Sequence, residues 1–471
     1  MTCFPSRCGR PFLYLIASAA LCATTSPALA GVPVSGVPVP NLAAFDDAMI
    51  TYMEDYNIDE GVLAVSHDGC IVYQRGFGVS RYGVTTPENT PMRIASLEKT
   101  ITAAAIRILE ADGAVSLFDH IFDLDQADPG ILPNTPWDGL GDDRLEDVTI
   151  FHALNHRGGW NRDTAGIGDP MFKAIQIAAD MGIASPPNRD QLIRYMLSEP
   201  LQFTPGTAGC GSYCYSNFGY LLIGRIIERR SGLSLLDFVR QRVLTPNMWV
   251  PSTEIFFGQS QSQNFREPVY DNDGGTCSNV FNPLGPHVLC PYGGWQQEWF
   301  VGHGNLVASA APLLIYMDHY QVNVGGDCGT PLNGSSPHGA SHTGQLRGTS
   351  TLMRQFSTEN NIVVLFPADG NSTYSDNGYA ADMGAIITNV IADGVTWPTT
   401  CVDGTWIDFE GFFPLSFGSY NYPYFSIATG IGGATDGTRI RLKPGSTNWT
   451  GTINKRLRID APFGTAIIGQ D

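Results

Sequence analysis

The sequence predicts an α+β protein. Strand-like segments gather toward both ends of residues 45–400, helical spacing occupies much of what lies between, and no internal repeat links the two halves. The 471 residues are 43% hydrophobic and 15% charged, which supplies a large core and excludes disorder driven by low hydrophobicity and high charge. Such a pattern implies one sheet completed by both halves of the chain.

The elements follow in order. Arg7 and Arg10 precede an apolar stretch, Phe12 to Ala23, and then Pro27 and the small-residue sequence Ala28-Leu29-Ala30. This reads as a secretory signal over 1–30, cleaved before Gly31 and too short to span a bilayer. Leu21 stands before Cys22, where a lipoprotein signal wants a small residue, so lipidation is the lesser reading. Residues 31–44 read as an extended leader without packing of its own, rich in Val, Pro and Gly. Leu42 to Tyr56 has helical spacing, and Gly61 to Gly78 reads as a hairpin about an Asp68-Gly69 turn. Ser96 to Ala114 is a strong helix that opens with a serine suited to capping. Residues 122–190 read as loops and small helices. Asn217 to Arg230, Ala311 to Tyr320 and Tyr379 to Ala392 are further helices, while the segment around His342 to Thr351 and Asn361 to Phe366 read as strands.

Past Cys401 the composition turns to Gly, Thr, Tyr, Phe and Pro, with short strand-like runs at 439–442, 457–459 and 465–468. We read 401–471 as a β-rich C-terminal module appended to the 45–400 domain. Its pattern resembles the opening rungs of right-handed parallel β-helix proteins, and a segment so short is a candidate to cap the main domain or dock another domain or surface.

Charge and cysteines narrow the partners. Asp+Glu 45 against Lys+Arg 27 gives a net charge of -18, which repels a phosphate backbone and excludes nucleic acid as the main partner. No later apolar run is long enough for an integral membrane span. Seven cysteines lie beyond the signal, and in an exported protein they read as disulfides. Short spacing suggests Cys210 with Cys214 and Cys277 with Cys290, with Cys328–Cys401 as a long staple and Cys70 left over.

The chemistry concentrates in three motifs. Ser96-Leu97-Glu98-Lys99 places a hydroxyl and an amine one helical turn apart, and a serine nucleophile needs such a neighbour. Ser-x-x-Lys alone is common, and its ordinary explanation is a cap and an exposed lysine. The chain, however, has only four lysines, Lys99, Lys173, Lys443 and Lys455. Tyr215-Ser216-Asn217 comes next: a phenol whose pKa falls beside a buried lysine can accept the serine proton, and the Asn offers a donor and an acceptor to a substrate amide. The plainer alternative is a core tyrosine and a capping Asn. Third is His342-Thr343-Gly344-Gln345 in a strand, where Gly344 admits close approach.

In this order and at these separations, the three motifs resemble the serine penicillin-recognising enzymes: class C β-lactamases, D-alanyl-D-alanine carboxypeptidases and related esterases. Flanking segments agree, among them 148–159, Phe203-Thr-Pro-Gly and Gly302-His-Gly-Asn-Leu, so that the resemblance covers roughly 45–395. It implies a β-lactamase/transpeptidase-like antiparallel sheet flanked by helices plus a mainly helical subdomain. It also implies Ser96 as nucleophile, Lys99 as its activator, Tyr215 as base, and Asn217, His342, Thr343 and Gly344 as substrate-binding. The backbone N–H groups of Ser96 and Gln345 would form the oxyanion hole. Neither a metal nor another cofactor is called for. Glu98 departs from the small or hydroxyl residue usual between the Ser and Lys, and pointing about 100° from Lys99 it reads as harmless. His342 stands where true class C β-lactamases carry lysine, and offers a weaker, pH-dependent cation.

Two readings remain. One is an exported, periplasmic or secreted serine hydrolase that forms an acyl-enzyme with a D-amino-acid peptide or ester, with a β-lactamase proper as its variant. The other is a catalytically inactive cell-envelope binding module. Metal hydrolysis is poorly supported, since His152 and His156 lack the Glu of a His-Glu-x-x-His helix and the Asp271 segment lacks the rest of a calcium loop. The aromatic stretch 292–300, with Trp295 and Trp299, reads equally as a substrate pocket or as core.

Overall fold

A computed structural model describes residues 31–124, 130–164, 166–209, 214–244, 254–270, 275–323, 328–332, 340–370, 378–411, 416–434, 437–462 and 464–469. The expected signal sequence lies outside them. Its centre is a six-stranded sheet of β1 (Val34–Ser35), β2 (Glu60–His67), β3 (Cys70–Gly78), β4 (Ala340–Leu346), β5 (Thr349–Gln355) and β6 (Asn360–Phe366). The order is β1-β3-β2-β6-β5-β4 with every neighbour antiparallel, so β2 from the first part of the chain pairs with β6 from the last. The Asp-Gly expectation for the β2–β3 turn is met. Asp68 (φ 50°) and Gly69 (φ 71°) both take the positive φ that a tight two-residue hairpin needs.

Strand parity divides the two faces. On β5 and β6 even positions meet α1 (Ala43–Tyr56) and α4 (Tyr379–Ala392): Phe366 stacks on Tyr52, and Gly384 leaves room for Leu352, which a Cβ there would strike. Odd positions meet the helix Ala310–Met317, where Gln355 Nε2 donates to Met317 O at 2.8 Å and Asn361 Nδ2 donates to Asp318 Oδ1 at 2.7 Å. Covered on both sides, β6 is buried throughout, which is why its sequence reads as an unbroken apolar run rather than an alternation. The mainly helical part is built on α2 (Glu98–Ala111) packed against α3 (Asn217–Ser231). Shorter helices, Ile150–Leu154 and Arg189–Leu197, begin at capping boxes set by Thr149 and Asn188.

Three expectations are corrected. The leader is packed: Val34 and Ser35 pair with Phe77 and Gly76, Val37 and Val39 are buried, and Arg75 Nε donates to Ser35 O. The long disulfide is Cys70–Cys401, while Cys328 is a buried free thiol. The reason is placement. Val402 N donates to Ile71 O, which brings the C-terminal segment to the start of β3, whereas Cys328 lies against α2, its carbonyl accepting from Arg107 Nε. Cys277–Cys290 pairs as expected, and the Cys210–Cys214 expectation falls on Cys210, outside the described residues. The helix at Ser96 begins with a tight turn, Ala95–Leu97, and Ser96 does not cap it. The segment around His342 to Thr351 is strand as expected, formed by β4 and the start of β5 with a turn between them.

Beyond Cys401, β7 (Thr405–Ile407), β8 (Arg439–Leu442) and β10 (Arg458–Asp460) stack in parallel, as do β9 (Gly445–Thr447) and β11 (Ala466–Ile468). Ile407, Ile427, Ile431, Ile440 and Leu442 form a small core of their own, while Trp406 sinks into the main one. Among the described residues no helix is long and apolar enough to cross a membrane.

Candidate active site

The chain enters α2 through a corner that exposes Ser96. Ile94 N donates to Leu306 O at 3.0 Å and Ile94 O accepts from Thr351 Oγ1 at 2.9 Å, which ties this residue to both neighbouring strands. Ala95 then takes φ 48°, a left-handed conformation that costs an L-residue about 1–2 kcal/mol and persists only under firm packing. Ala95 is buried. One turn on, Lys99 Nζ donates to Ser96 Oγ at 3.1 Å and to His303 O at 2.9 Å, and Tyr215 OH donates to the same Ser96 Oγ at 2.8 Å. The three groups that the sequence placed 119 residues apart or less thus converge on one oxygen. With Lys99 charged the hydroxyl accepts from both neighbours, and once the amine is neutral its lone pair can take the hydroxyl proton.

Tyr215 is clamped through its ring. His156 stacks on it with centroids 4.6 Å apart, and the Arg162 guanidinium lies over it at 4.3 Å. His156 is itself fixed, because its Nδ1 accepts from Ser216 N at 3.1 Å and its backbone takes φ 56°. Burial drives Lys99 down to about 7, Arg162 adds to that, and Asp169 and Glu98 pull the other way. Burial raises the Tyr215 phenol above its ordinary value, against the opposing pull of the Ser96 hydroxyl and Arg162. This corrects the expected lowered phenol. Desolvation outweighs the neighbouring charge, so it is the amine that titrates near neutrality.

Glu98 is far from harmless. Fully buried, its carboxylate accepts the N–H groups of Gly302 (2.7 Å), Leu306 (2.9 Å) and Asn305. It therefore grips the loop whose His303 carbonyl holds Lys99. Burial pushes its pKa up to about 7, while the three N–H groups and Lys99 pull it back. Asp169, which the sequence reading missed, accepts from Asn217 Nδ2 at 2.6 Å and from Met171 N at 3.2 Å. Asn217 is buried at the start of α3 with its amide orientation set by this contact, and Ser216 rather than Asn217 caps the helix. Asp169-Pro170 before a turn was a readable cap signal, but nothing in it pointed to Asn217.

The third motif runs along edge strand β4. Gly344 is pressed against the corner: a Cβ there would stand 3.1 Å from Ser96 N and collide with Ile94 O. Only glycine lets the strand come this close, and this brings the expected backbone donors, Ser96 and Gln345, onto neighbouring segments. His342 is buried, and burial first, then Lys99, lower its pKa to about 4. The expected pH-dependent cation is therefore a neutral imidazole at physiological pH. Ser96, Arg162, Tyr215, His342, Thr343 and Gln345 face a cleft of about 710 Å³. A second cleft of about 740 Å³, walled by Phe172 and Trp295, adjoins it through Gln345, Leu346 and Arg347. Trp299 belongs to the core, its Nε1 donating to Pro187 O at 2.7 Å.

Fold and motif together define a serine hydrolase scaffold. The profile of the Beta-lactamase family matches residues 45–422, and the chain belongs to that family of serine hydrolases. Among curated relatives it is 30% identical over 194 residues to penicillin-binding protein 4* of Bacillus subtilis, covering 40% of this chain and 36% of that one. It is 26% identical over 239 residues to esterase EstB of Burkholderia gladioli (49% and 54%), and 26% identical over 198 residues to a D-aminopeptidase of Brucella anthropi (41% and 32%). These matches span between a third and about half of each relative's length. Of solved structures, the D-amino acid amidase of Ochrobactrum anthropi complexed with D-phenylalanine superposes with a TM-score of 0.51 at 16% identity, covering 74% of this chain and 98% of that one. The octameric penicillin-binding protein homologue from Pyrococcus abyssi gives 0.50 at 19%, covering 74% and 77%. At these identities the likeness shows the fold.

Proposed function

We propose that the chain is an exported serine hydrolase that forms an acyl-enzyme at Ser96 with an ester or peptide of a D-amino acid. The observation that carries this is the convergence of Lys99 Nζ (3.1 Å) and Tyr215 OH (2.8 Å) on Ser96 Oγ at the floor of an open cleft. Neutral Lys99, available because burial lowers its pKa to about 7, takes the Ser96 proton as Oγ attacks the carbonyl carbon. The oxyanion formed is met by the N–H groups of Ser96 and Gln345, each such donor contributing about 10²- to 10³-fold. Tyr215, protonated in this resting arrangement, passes its proton to the leaving group and is reprotonated from Lys99. Water then attacks the ester by the reverse proton path. Asn217, held by Asp169, and Thr343 orient the acyl part of the substrate.

The D-amino substrate class draws its support from the D-aminopeptidase relative and from the amidase fold, and the ester from EstB. Neutral His342 disfavours a β-lactamase proper, because nothing at that position pairs with a β-lactam carboxylate. Export is supported by the 1–30 segment and by the two described disulfides, which persist in oxidising compartments. The test is hydrolysis of D- and L-phenylalanine p-nitroanilide, p-nitrophenyl butyrate and a penicillin by the purified chain. Turnover of the D-anilide or the ester, both lost in Ser96→Ala, is expected. No turnover of any of them would return the inactive binding module.

A further inference from the structure

A second cluster of chemistry-bearing side chains lies at one end of the sheet, where the β2–β3 turn and the β5–β6 turn meet. Because β2 pairs with β6, His67 stands opposite Asn360, and Asp68 N donates to Glu359 O at 2.8 Å. That register brings a ring nitrogen of His67 and carboxylate oxygens of Asp68 and Glu359 within 4.8 Å of one another. The histidine is oriented from two sides. Its Nδ1 is 2.9 Å from Asn360 Oδ1, while Asn360 Nδ2 donates to Ser357 Oγ at 2.9 Å, which fixes which end of the amide faces the ring. An amide oxygen only accepts, so Nδ1 carries the proton and Nε2 presents a lone pair. The ring also stacks on Trp397, centroids 4.4 Å apart and planes 9° from parallel. Nε2 looks toward Asp68 Oδ2 at 3.6 Å. Among the described residues, neither carboxylate forms an ion pair with a lysine or arginine.

We propose that His67, Asp68 and Glu359 bind a transition-metal dication of the zinc class, through Nε2 and one oxygen from each carboxylate, with water completing the shell. A metal-binding histidine characteristically gives its other N–H to an oxygen acceptor, the part Asn360 plays here. One imidazole and two carboxylates suit zinc, whereas calcium and magnesium favour all-oxygen sets with more ligands. Each ligand-bearing turn closes a strand pair of the central sheet, and Asp68 takes its left-handed backbone at the hairpin tip. A bound ion would clamp both turns. Trp397 stacks on His67, and Cys70 of the Cys70–Cys401 disulfide lies two residues beyond Asp68, so the clamp would sit where the C-terminal region joins the body.

The competing explanation is a pair of solvated acids with His67 ion-paired to Asp68. The test is calorimetric titration of the whole EDTA-stripped chain with Zn²⁺, together with its melting temperature. One Zn²⁺ per chain is expected, with a rise in melting temperature that excess Ca²⁺ does not reproduce. His67→Gln, and separately the double variant Asp68→Asn/Glu359→Gln, should each weaken binding by about tenfold or more and abolish the rise, since removing even an outer-shell partner typically costs 10–100-fold. Asn360→Ala, which leaves all three ligands in place, should weaken it less. Absence of Zn²⁺ binding to the wild type, or binding that survives unchanged in both ligand variants because another histidine holds the ion, would overturn the proposal. The double variant alters only exposed side chains, so a misfolded His67→Gln would leave the test decisive.

Discussion

The main body and the region past Cys401 solve the same problem, holding charged groups in place, in opposite ways. In the body Lys99 and Glu98 are fully buried, and each is held by backbone of the 302–306 loop: the ammonium by the His303 carbonyl, the carboxylate by three N–H groups. In the C-terminal region Arg439 and Arg441 instead pair with carboxylates, Asp403 at 2.8 Å and Asp460 at 2.9 Å, and the buried Arg441 also donates to the Asp403 and Cys401 carbonyls. A buried charge held mainly by backbone dipoles has its pKa shifted by desolvation, whereas an opposite charge in contact favours the charged form. The contrast separates a region whose buried charges rest on backbone dipoles from one whose charges rest on ion pairs.

The sharpest way to break that contrast is to remove the amine. Lys99→Met should lower kcat/KM by about 10³- to 10⁴-fold, the order lost when a member of a proton-transfer pair is deleted, while the chain stays folded by circular dichroism. Retained activity would end the role given to Lys99. Glu98→Gln comes next. The glutamine amide turns an NH₂ toward N–H donors, so the loop carrying His303 should shift and kcat should fall by about 10- to 100-fold with KM little changed. An equal loss in KM would mean that Glu98 shapes substrate binding instead.

For the C-terminal region the expectation reverses. The Cys70→Ser/Cys401→Ser double variant should lose about 2–4 kcal/mol of stability in denaturant under oxidising conditions, because a bridge across 331 residues restricts the unfolded chain. Its kcat should stay within about twofold, well below the tenfold that 1.4 kcal/mol in the barrier represents. The smallest effect concerns pH. Lys99 acts as base only when neutral, so kcat/KM should rise with pH through about 7 and level off above it. Arg162, whose positive charge favours the neutral amine, should move that limb to higher pH when replaced by Ala, a change read from the pH profile alone.

What the sequence revealed and what it concealed divide by distance along the chain. Ser96 and Lys99 are one turn apart on a single helix, so local spacing exposed them, and the Asp68-Gly69 hairpin followed from two residues that favour positive φ. Helix ends such as Tyr379–Ala392 were legible for the same reason. Glu98 looked inert because its partners lie 204 to 208 residues away. Asp169 is 48 residues from the Asn217 it orients, and the Cys70–Cys401 bridge spans most of the chain. The direction of the Tyr215 pKa depended on how deeply the ring is buried, which no motif records. Parallel pairing past Cys401 could be suspected from short strand-like runs, but which run meets which is set by stacking that only the folded chain shows.

The most direct measurement of the central claim is intact-protein mass spectrometry after exposure to a fluorophosphonate and, separately, to a penicillin. A single phosphonyl adduct is expected on the wild type, mapping to Ser96 and absent from Ser96→Ala, with any penicilloyl adduct on the same residue. An adduct that persists in Ser96→Ala, or a wild type that neither reagent labels, would contradict it.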